Sequence, residues 1–475
     1  MSASYVVVTE VSNRADAKRA SATSLAATIV WSTWAVMLLV ALACIVRYGR
    51  NIPLAEDWLL VPPMTGHEPH LGSWLWAQNN EHRLPLPRLV LLGLLMATHD
   101  FRAGMVLNVV SLAALAAAMI FIARHLRGGE TRLSDAFFPL ALLHLGDWEN
   151  LIWGWQFQFV SSAVLTCTLL LVVVRQREVL TAREAVVASV TLALLPLTGA
   201  NGLIFALALA PWAAATGLTQ WRATPTQSVS RSSVLLLASA IVAPLLVGAY
   251  FIGYVKPWWN PPNPGRLLTL KTTTRFLALA WGAAARHAWV PASVAVIVLL
   301  VVTTLVLLSG LRQARGAERL RAVGLLLFAG GCVVLALGIG WGRAANDLVS
   351  GMPMRYVLLS VPTLCATYFV WELYAPVRPR RWLQAALCLT MVVLLPWNTF
   401  EGFGLPGRDD VGWRGWYVHG MTAVERDLRD GVPRLQMAAR HREFLMHWDE
   451  AKLAAGMRML SGAQIGPFSH LRDER

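Results

Sequence analysis

Long apolar runs recur along the chain, at 25–46, 104–123, 157–174, 232–254, 289–308, 322–340, 356–373 and 382–397. Several reach the roughly 20 residues that cross a hydrocarbon core as a helix. With shorter runs at 136–146, 185–198 and 202–216, the pattern predicts an all-α polytopic membrane bundle of about eleven transmembrane helices. Composition agrees: 56% of residues are hydrophobic and 14% charged, and the mean hydropathy is +0.52. A soluble domain carries nearer a quarter charged residues. The formal charge of +14 comes almost wholly from arginine. In a soluble chain it would suggest nucleic acid; here short inner loops and lipid headgroups account for it, and no nucleic-acid partner is expected.

Charge also orients the bundle. Arg14, Lys18 and Arg19 precede the first run and keep residues 1–24 in the cytoplasm, with an uncleaved anchor rather than a signal peptide. The short connections assigned to the cytoplasm hold 18 Lys and Arg, against 12 in the much longer outer segments before the tail. Residues 25–397 then form the membrane domain, 47–103 its first outer loop, and 398–475 a small extracytoplasmic C-terminal segment. Within the outer loops, Pro85–Ala97 is apolar but short and interrupted by Arg88, which reads as an interfacial helix with Arg83 and Arg88 as headgroup anchors. Leu267–Ala288 suggests a second, after a segment from Lys256 to Pro264 too proline-rich for helix. Thr198-Gly199-Ala200-Asn201-Gly202 has the composition of a tight turn. The five cysteines lie inside apolar runs without CxxC spacing and read as packing residues. No internal repeat is present.

With this topology the polar groups gather on one side of the membrane. Glu56, Asp57, Glu81, His82, Asp147, Glu149, Asn150, Gln156, Asn201, Lys256, Arg343, Asp347 and Arg355 all fall in outer loops or at outer ends of runs. No hydrolytic triad, phosphate loop or nucleotide fingerprint appears. A site outside the cytoplasm has no nucleotides to draw on, so an activated substrate must arrive through the membrane. Tryptophan at a membrane boundary is expected as belt residue, but Glu149, Asn150 and Gln156 interleaved with Trp148, Trp153 and Trp155 suit sugar recognition. His67-Glu68-Pro69-His70 has metal-ligand types, yet the proline breaks a helical face, and no metal ligands are assigned. A transporter or lipid flippase is the alternative class. It would place charges mid-span and broken helices at matched positions in two halves; the runs are nearly free of charge and no halves match, though Asn201-Gly202 between two short runs resembles a broken pair.

The carboxylate pair of the first outer loop, about eleven spans, an interfacial helix and an extracytoplasmic tail resemble the GT-C membrane glycosyltransferases, such as the protein O-mannosyltransferases and the lipid A aminoarabinose transferase. Glu81-His82-Arg83-Leu84-Pro85-Leu86-Pro87-Arg88 and Glu149-Asn150-Leu151-Ile152-Trp153-Gly154-Trp155-Gln156 are similar to bacterial membrane proteins of this type. The resemblance covers about residues 25–400 and implies a bacterial plasma-membrane enzyme with an outward-facing site. It implies transfer with inversion of a sugar from a polyprenyl-phosphate donor to a glycan, glycolipid or protein hydroxyl. It implies a first-loop carboxylate as general base: Asp57, beside Trp58, with Glu56 as alternative. His82 would orient the acceptor, donate to a phosphate oxygen or help hold a metal. Arg355, oriented by Asp347, or else Arg343, would take the phosphate. Glu81, Arg83, Glu149, Asn150, Gln156, Asn201 and Tyr356 complete the expected substrate-binding set. Some members of the group need a divalent cation, Mg²⁺ or Mn²⁺, and others do not.

Overall fold

The computed structural model describes residues 3–223, 227–258, 260–345, 351–404, 413–445 and 449–471, with backbone alone for 3–23, 227–230 and 470. The helices of the bundle are α1 (Ala3–Tyr48), α2 (Pro85–Thr98), α3 (Arg102–Leu126), α4 (Phe137–Leu142), α5 (Phe157–Val174) and α6 (Ala182–Leu194). They continue as α7 (Ala200–Ala223), α8 (Gln227–Phe251), α9 (Arg266–Ala278), α10 (Trp289–Gln313), α11 (Gly316–Arg343), α12 (Val357–Tyr374) and α13 (Val377–Phe403). Among the described residues nine helices are long and apolar enough to cross a membrane. They start and stop where the side chains require it. Thr181 and Glu184 form a reciprocal capping box at the head of α6, and Gly404 (φ 84°) ends α13. The most buried crossing is α12, with neighbours packed on every side.

Two of the eleven expected crossings, 136–146 and 185–198, are not full-length helices. Arg355 and Glu372 mark the two ends of α12, seventeen residues or about 25 Å apart along a helix axis. At one end Arg355 pairs with Glu149 at 2.9 Å. At the other, Arg127 binds Asp135 at 2.5 Å and Glu372 at 3.5 Å. The chain from 135 to 149 therefore traverses the whole length of α12 with only the six-residue α4 and short turns. Likewise Glu184 pairs with Arg175 beyond the end of α5, while Gly199, past the turn Leu195–Thr198, lies against Leu84 and His82 on the opposite side. Pro139, Pro196 and Gly199 supply the breaks. Nine long helices and two broken traverses thus account for the spans read from sequence.

The side that carries the first loop is called the loop side here. On it α2 packs with Arg88 turned inward, donating to the Trp74 and Ala77 carbonyls and lying 5.2 Å over the Trp74 ring. Arg88 is thus a buried staple, not a headgroup anchor. Helix α9 is shorter than the run 267–288. Gly282 (φ 95°) ends its 3₁₀ continuation, and α9 packs on α11 so closely that Gly340 admits no side chain against Thr273. The tail forms α14 (Trp413–Arg429), α15 (Arg434–His441) and α16 (Glu450–Gly462) around buried Tyr417, Leu445, Met457 and Phe468. It docks on the first loop: Trp58 meets Phe468 edge-on at 5.8 Å, Ala55 N donates to the Leu445 carbonyl, and Arg50 pairs with Glu425 at 3.1 Å. First loop and tail therefore share one side of the bundle.

Candidate active site

The first loop passes through Ala55, held at φ 48°, into a 3₁₀ turn, Ala55–Leu60. Consecutive residues of so tight a turn point in different directions, and here they separate the two carboxylates. Asp57 is folded under the turn, 4% exposed, where its Oδ2 accepts from Leu54 N at 3.3 Å. Burial pushes its carboxyl up to about 8, opposed by the Leu54 hydrogen bond. Asp57 caps the turn that aims its neighbour and is not among the residues lining the large cavity on the loop side, which corrects the sequence assignment. Glu56 lines a cavity of about 1330 Å³ on the loop side. Its Oε2 has no hydrogen-bond partner. Burial raises the Glu56 pKa, while a backbone hydrogen bond and the Arg355 charge lower it and Glu149 raises it further.

A two-residue hairpin supplies the next wall. Gln78–Asn79 pairs antiparallel with His82–Arg83 around Asn80 at φ 50°. Adjacent strand residues face opposite ways. His82 therefore lines the cavity, while Arg83 turns back to the carbonyls of Trp76, Tyr250 and Ile252 at 2.8–2.9 Å. Arg83 holds the loop to the bundle and is removed from the substrate-binding set. Burial pushes His82 down to about 4 despite the neighbouring Glu81 charge, so the ring is neutral at pH 7, and its Nδ1 has no partner. Glu81 is spoken for: Oε1 accepts from Arg343 at 2.9 Å and from Asn260 at 2.7 Å. Burial works against its charge, but Arg343 and then His82 hold the Glu81 pKa below its ordinary value. Arg343 also donates to the Tyr356 hydroxyl at 3.0 Å.

The third wall is the end of the broken traverse, the short helix Trp148–Ile152 and the turn after it. Glu149 binds Arg355. Asn150, fully buried, donates to Asp147 Oδ1 and to the Arg355 carbonyl. It positions Arg355 from behind and is not among the residues lining the cavity, a third correction after Asp57 and Arg83. Gln156 does line it, with Oε1 unpartnered. Asn201 sits in the first turn of α7, half-buried and outside the cavity wall, so that assignment is corrected too. Asp347 lies outside the described residues.

Residues that sequence reading did not assign complete the cavity. Arg286 and Glu401 form its rim, and the tail supplies Trp413, Trp416, Arg442, Glu443, Asp449 and Lys452 as a roof. Trp413 stacks on Trp148 at 4.5 Å, closing the roof on the third wall. The only signal for this in the sequence is the aromatic cluster Trp413, Trp416, Tyr417 just past the last span. The cavity thus joins six carboxylates, five cations and four tryptophans in one chamber. A divalent cation does not fit well: among the described residues no three His, Cys, Asp or Glu side chains gather as a metal site, and Glu81 is committed to Arg343 and Asn260. His67 bonds Thr65 and Glu68 caps His70, both on the surface.

Fold and cavity together define a multi-span helical membrane protein with a large, charged, aromatic-lined chamber at one end of the bundle. No protein-family model matches the chain, and no curated protein sequence does. Among solved structures it is similar to the crystal structure of ArnT from Cupriavidus metallidurans in the apo state, with 15% identity and a TM-score of 0.44 over 94% of this chain and 76% of that one. A likeness of that degree says nothing of chemistry.

Proposed function

We propose that the protein is a membrane glycosyltransferase of GT-C type, moving a sugar from a polyprenyl-phosphate donor to a hydroxyl acceptor at the extracytoplasmic face, with Glu56 as general base. One observation carries the reading: Glu56, whose Oε2 has no hydrogen-bond partner, lines a chamber that also holds Arg355 and Arg343. A hydroxyl becomes a competent nucleophile as its proton leaves, and a positioned carboxylate takes that proton. In the step, the acceptor oxygen bonds to the anomeric carbon as its proton passes to Glu56. The bond from that carbon to the phosphate oxygen breaks on the opposite face, and its electron pair leaves with the polyprenyl phosphate. Attack opposite the leaving group inverts the anomeric centre.

The chamber suits each part of this step. Arg355 and Arg343 are held in place by Glu149 and by Glu81 with Tyr356. Fixed charges aimed at a developing phosphate anion stabilise the transition state without reorganising. His82, neutral at pH 7, is free to hydrogen-bond an acceptor or sugar hydroxyl without competing for the phosphate. Trp148, Trp413 and Trp416 offer flat faces for sugar rings. The experiment is direct: purified protein is mixed with a polyprenyl-phosphate sugar and a panel of glycan, glycolipid and peptide hydroxyls. A glycosylated product with inverted configuration supports the reading. Release of the polyprenyl phosphate with no sugar on any acceptor, or no consumption of donor, contradicts it.

A further inference from the structure

The chamber is not the end of the site. Below its rim an apolar groove of about 500 Å³ runs down the bundle between α10 and α13. Both helices also pack on α12. Small side chains open it: Ala288 just ahead of α10, Ala292 and Ala295 from α10, Ala386 from α13. From Ala288, the cap of α10, to Leu299 it follows the first eleven residues of that helix, about 17 Å. The flanks are lipid-facing, with Val294, Val301, Leu389 and Val393 exposed. Within the hydrocarbon layer such a groove is filled by a lipid chain, because nothing polar enters at that depth.

What distinguishes this groove is its upper end. The 3₁₀ turn Ala283–Arg286 belongs to both spaces: Ala284 and Ala285 line the groove, Arg286 the chamber. Asn398 of α13, fully buried, fixes this turn by accepting from Ala284 N at 2.8 Å and donating to the Trp281 carbonyl at 3.0 Å. Gly282, at φ 95°, lets the backbone close against that amide. The other described cations of the chamber have acidic neighbours. Arg343 and Arg355 pair at 2.9 Å, Lys452 lies 3.5 Å from Asp449 and Arg442 3.8 Å from Glu450. Glu401, which shares the rim with Arg286, is taken by His287 at 2.6 Å. Among the described residues no ion pair engages Arg286.

We propose that the α10–α13 groove seats the hydrocarbon chain of a polyprenyl phosphate and that Arg286, at its head, binds the phosphate. The site rests on the glycosyltransferase reading and deepens it, since it gives the donor a path from the bilayer to Glu56. A half-buried guanidinium with no carboxylate partner among the described residues is complementary to an anionic headgroup, and its fork matches two phosphate oxygens. The groove supplies the hydrophobic contact, and the turn held by Asn398 sets the two in register.

The test measures binding of a long-chain polyprenyl phosphate, the uncharged polyprenol of equal length, and phosphatidylglycerol to purified protein by native mass spectrometry. Arg286→Gln should weaken the polyprenyl phosphate about tenfold to hundredfold, the loss of a charged hydrogen bond, and leave the polyprenol unchanged. Unchanged polyprenol binding also shows that the variant is folded. Arg286→Lys should recover part of the loss. Ala292→Phe should weaken phosphate and polyprenol alike. If wild type binds the polyprenyl phosphate and Arg286→Gln binds it equally well, the site is overturned while the glycosyltransferase reading stands. If phosphatidylglycerol competes on equal terms, the groove is an ordinary phospholipid site and the proposal fails. If wild type binds no polyprenyl phosphate at all, both fall.

Discussion

Replacing Asp57 by asparagine should stabilise the protein, and by a margin that grows with pH. Asp57 is buried beneath the first-loop turn, and burial lifts its folded-state pKa to about 8. In an unfolded chain an aspartate titrates near 3.9. Between those values the folded state binds more protons than the unfolded one, so stability is fully present below about pH 4 and falls as pH rises towards 8. Each unit is worth about 1.4 kcal/mol, so Asp57 withdraws roughly 4 kcal/mol between pH 4 and pH 7. Asparagine never ionises, and its Oδ1 still accepts from Leu54 N, the bond that caps the turn. The assay is thermal unfolding of wild type and Asp57→Asn in detergent from pH 4.5 to 8.5, followed by the fluorescence of the 21 tryptophans. The two should unfold together at the acid end and separate steadily above it, the variant higher. Because Asp57 faces away from the chamber, the variant should also keep its transferase activity. A variant that tracks wild type at every pH, or falls below it at pH 8, refutes the buried-cap reasoning.

Asp135→Ala should cost about 3 kcal/mol of stability, the lower end of the loss on breaking a buried ion pair, because Arg127 then keeps only the longer carboxylate contact, to Glu372, and the Tyr368 hydroxyl loses its carboxylate acceptor. Asp135→Asn should cost less, since it fills the same space and keeps one of the two accepting oxygens, and denaturant midpoints of the two variants check the order. Trp413→Ala should raise the acceptor KM about two- to tenfold, the worth of one aromatic contact, and leave donor binding unchanged. An equal loss for donor and acceptor would make Trp413 a support of the roof rather than part of the acceptor wall.

The sequence and the structure part company at particular residues. The long apolar runs became long helices, because twenty residues without charge have one way to satisfy their backbone in hydrocarbon. The runs 136–146 and 185–198 do cross the bundle, but Pro139, Pro196 and Gly199 break them, and composition alone cannot show how a broken segment is continued. The grouping of Glu56, Glu81, His82, Glu149, Gln156, Arg343, Arg355 and Tyr356 was legible, since orientation places their loops on one side. The choice between Glu56 and Asp57 was not, because it depends on the side-chain directions of neighbours in a 3₁₀ turn entered at positive φ. His82 and Arg83 are a different case: adjacent residues on a strand must diverge, but a two-residue strand leaves no periodic signature to read. The roof and Arg286 escaped because nothing local in the tail, or in 283–286, announces the chamber they close.

Transfer rates for wild type and Glu56→Gln, measured in a single turnover with donor already bound, test the central claim most directly. Glutamine keeps the shape of the side chain and cannot take a proton, so the variant should bind donor normally and transfer about 10²–10⁴-fold more slowly. The wild-type rate should rise with pH through the titration of Glu56, whose pKa burial raises, and the variant's should not. A Glu56→Gln protein that transfers sugar at the wild-type rate, with the same pH dependence, would contradict the assignment of Glu56 as the base.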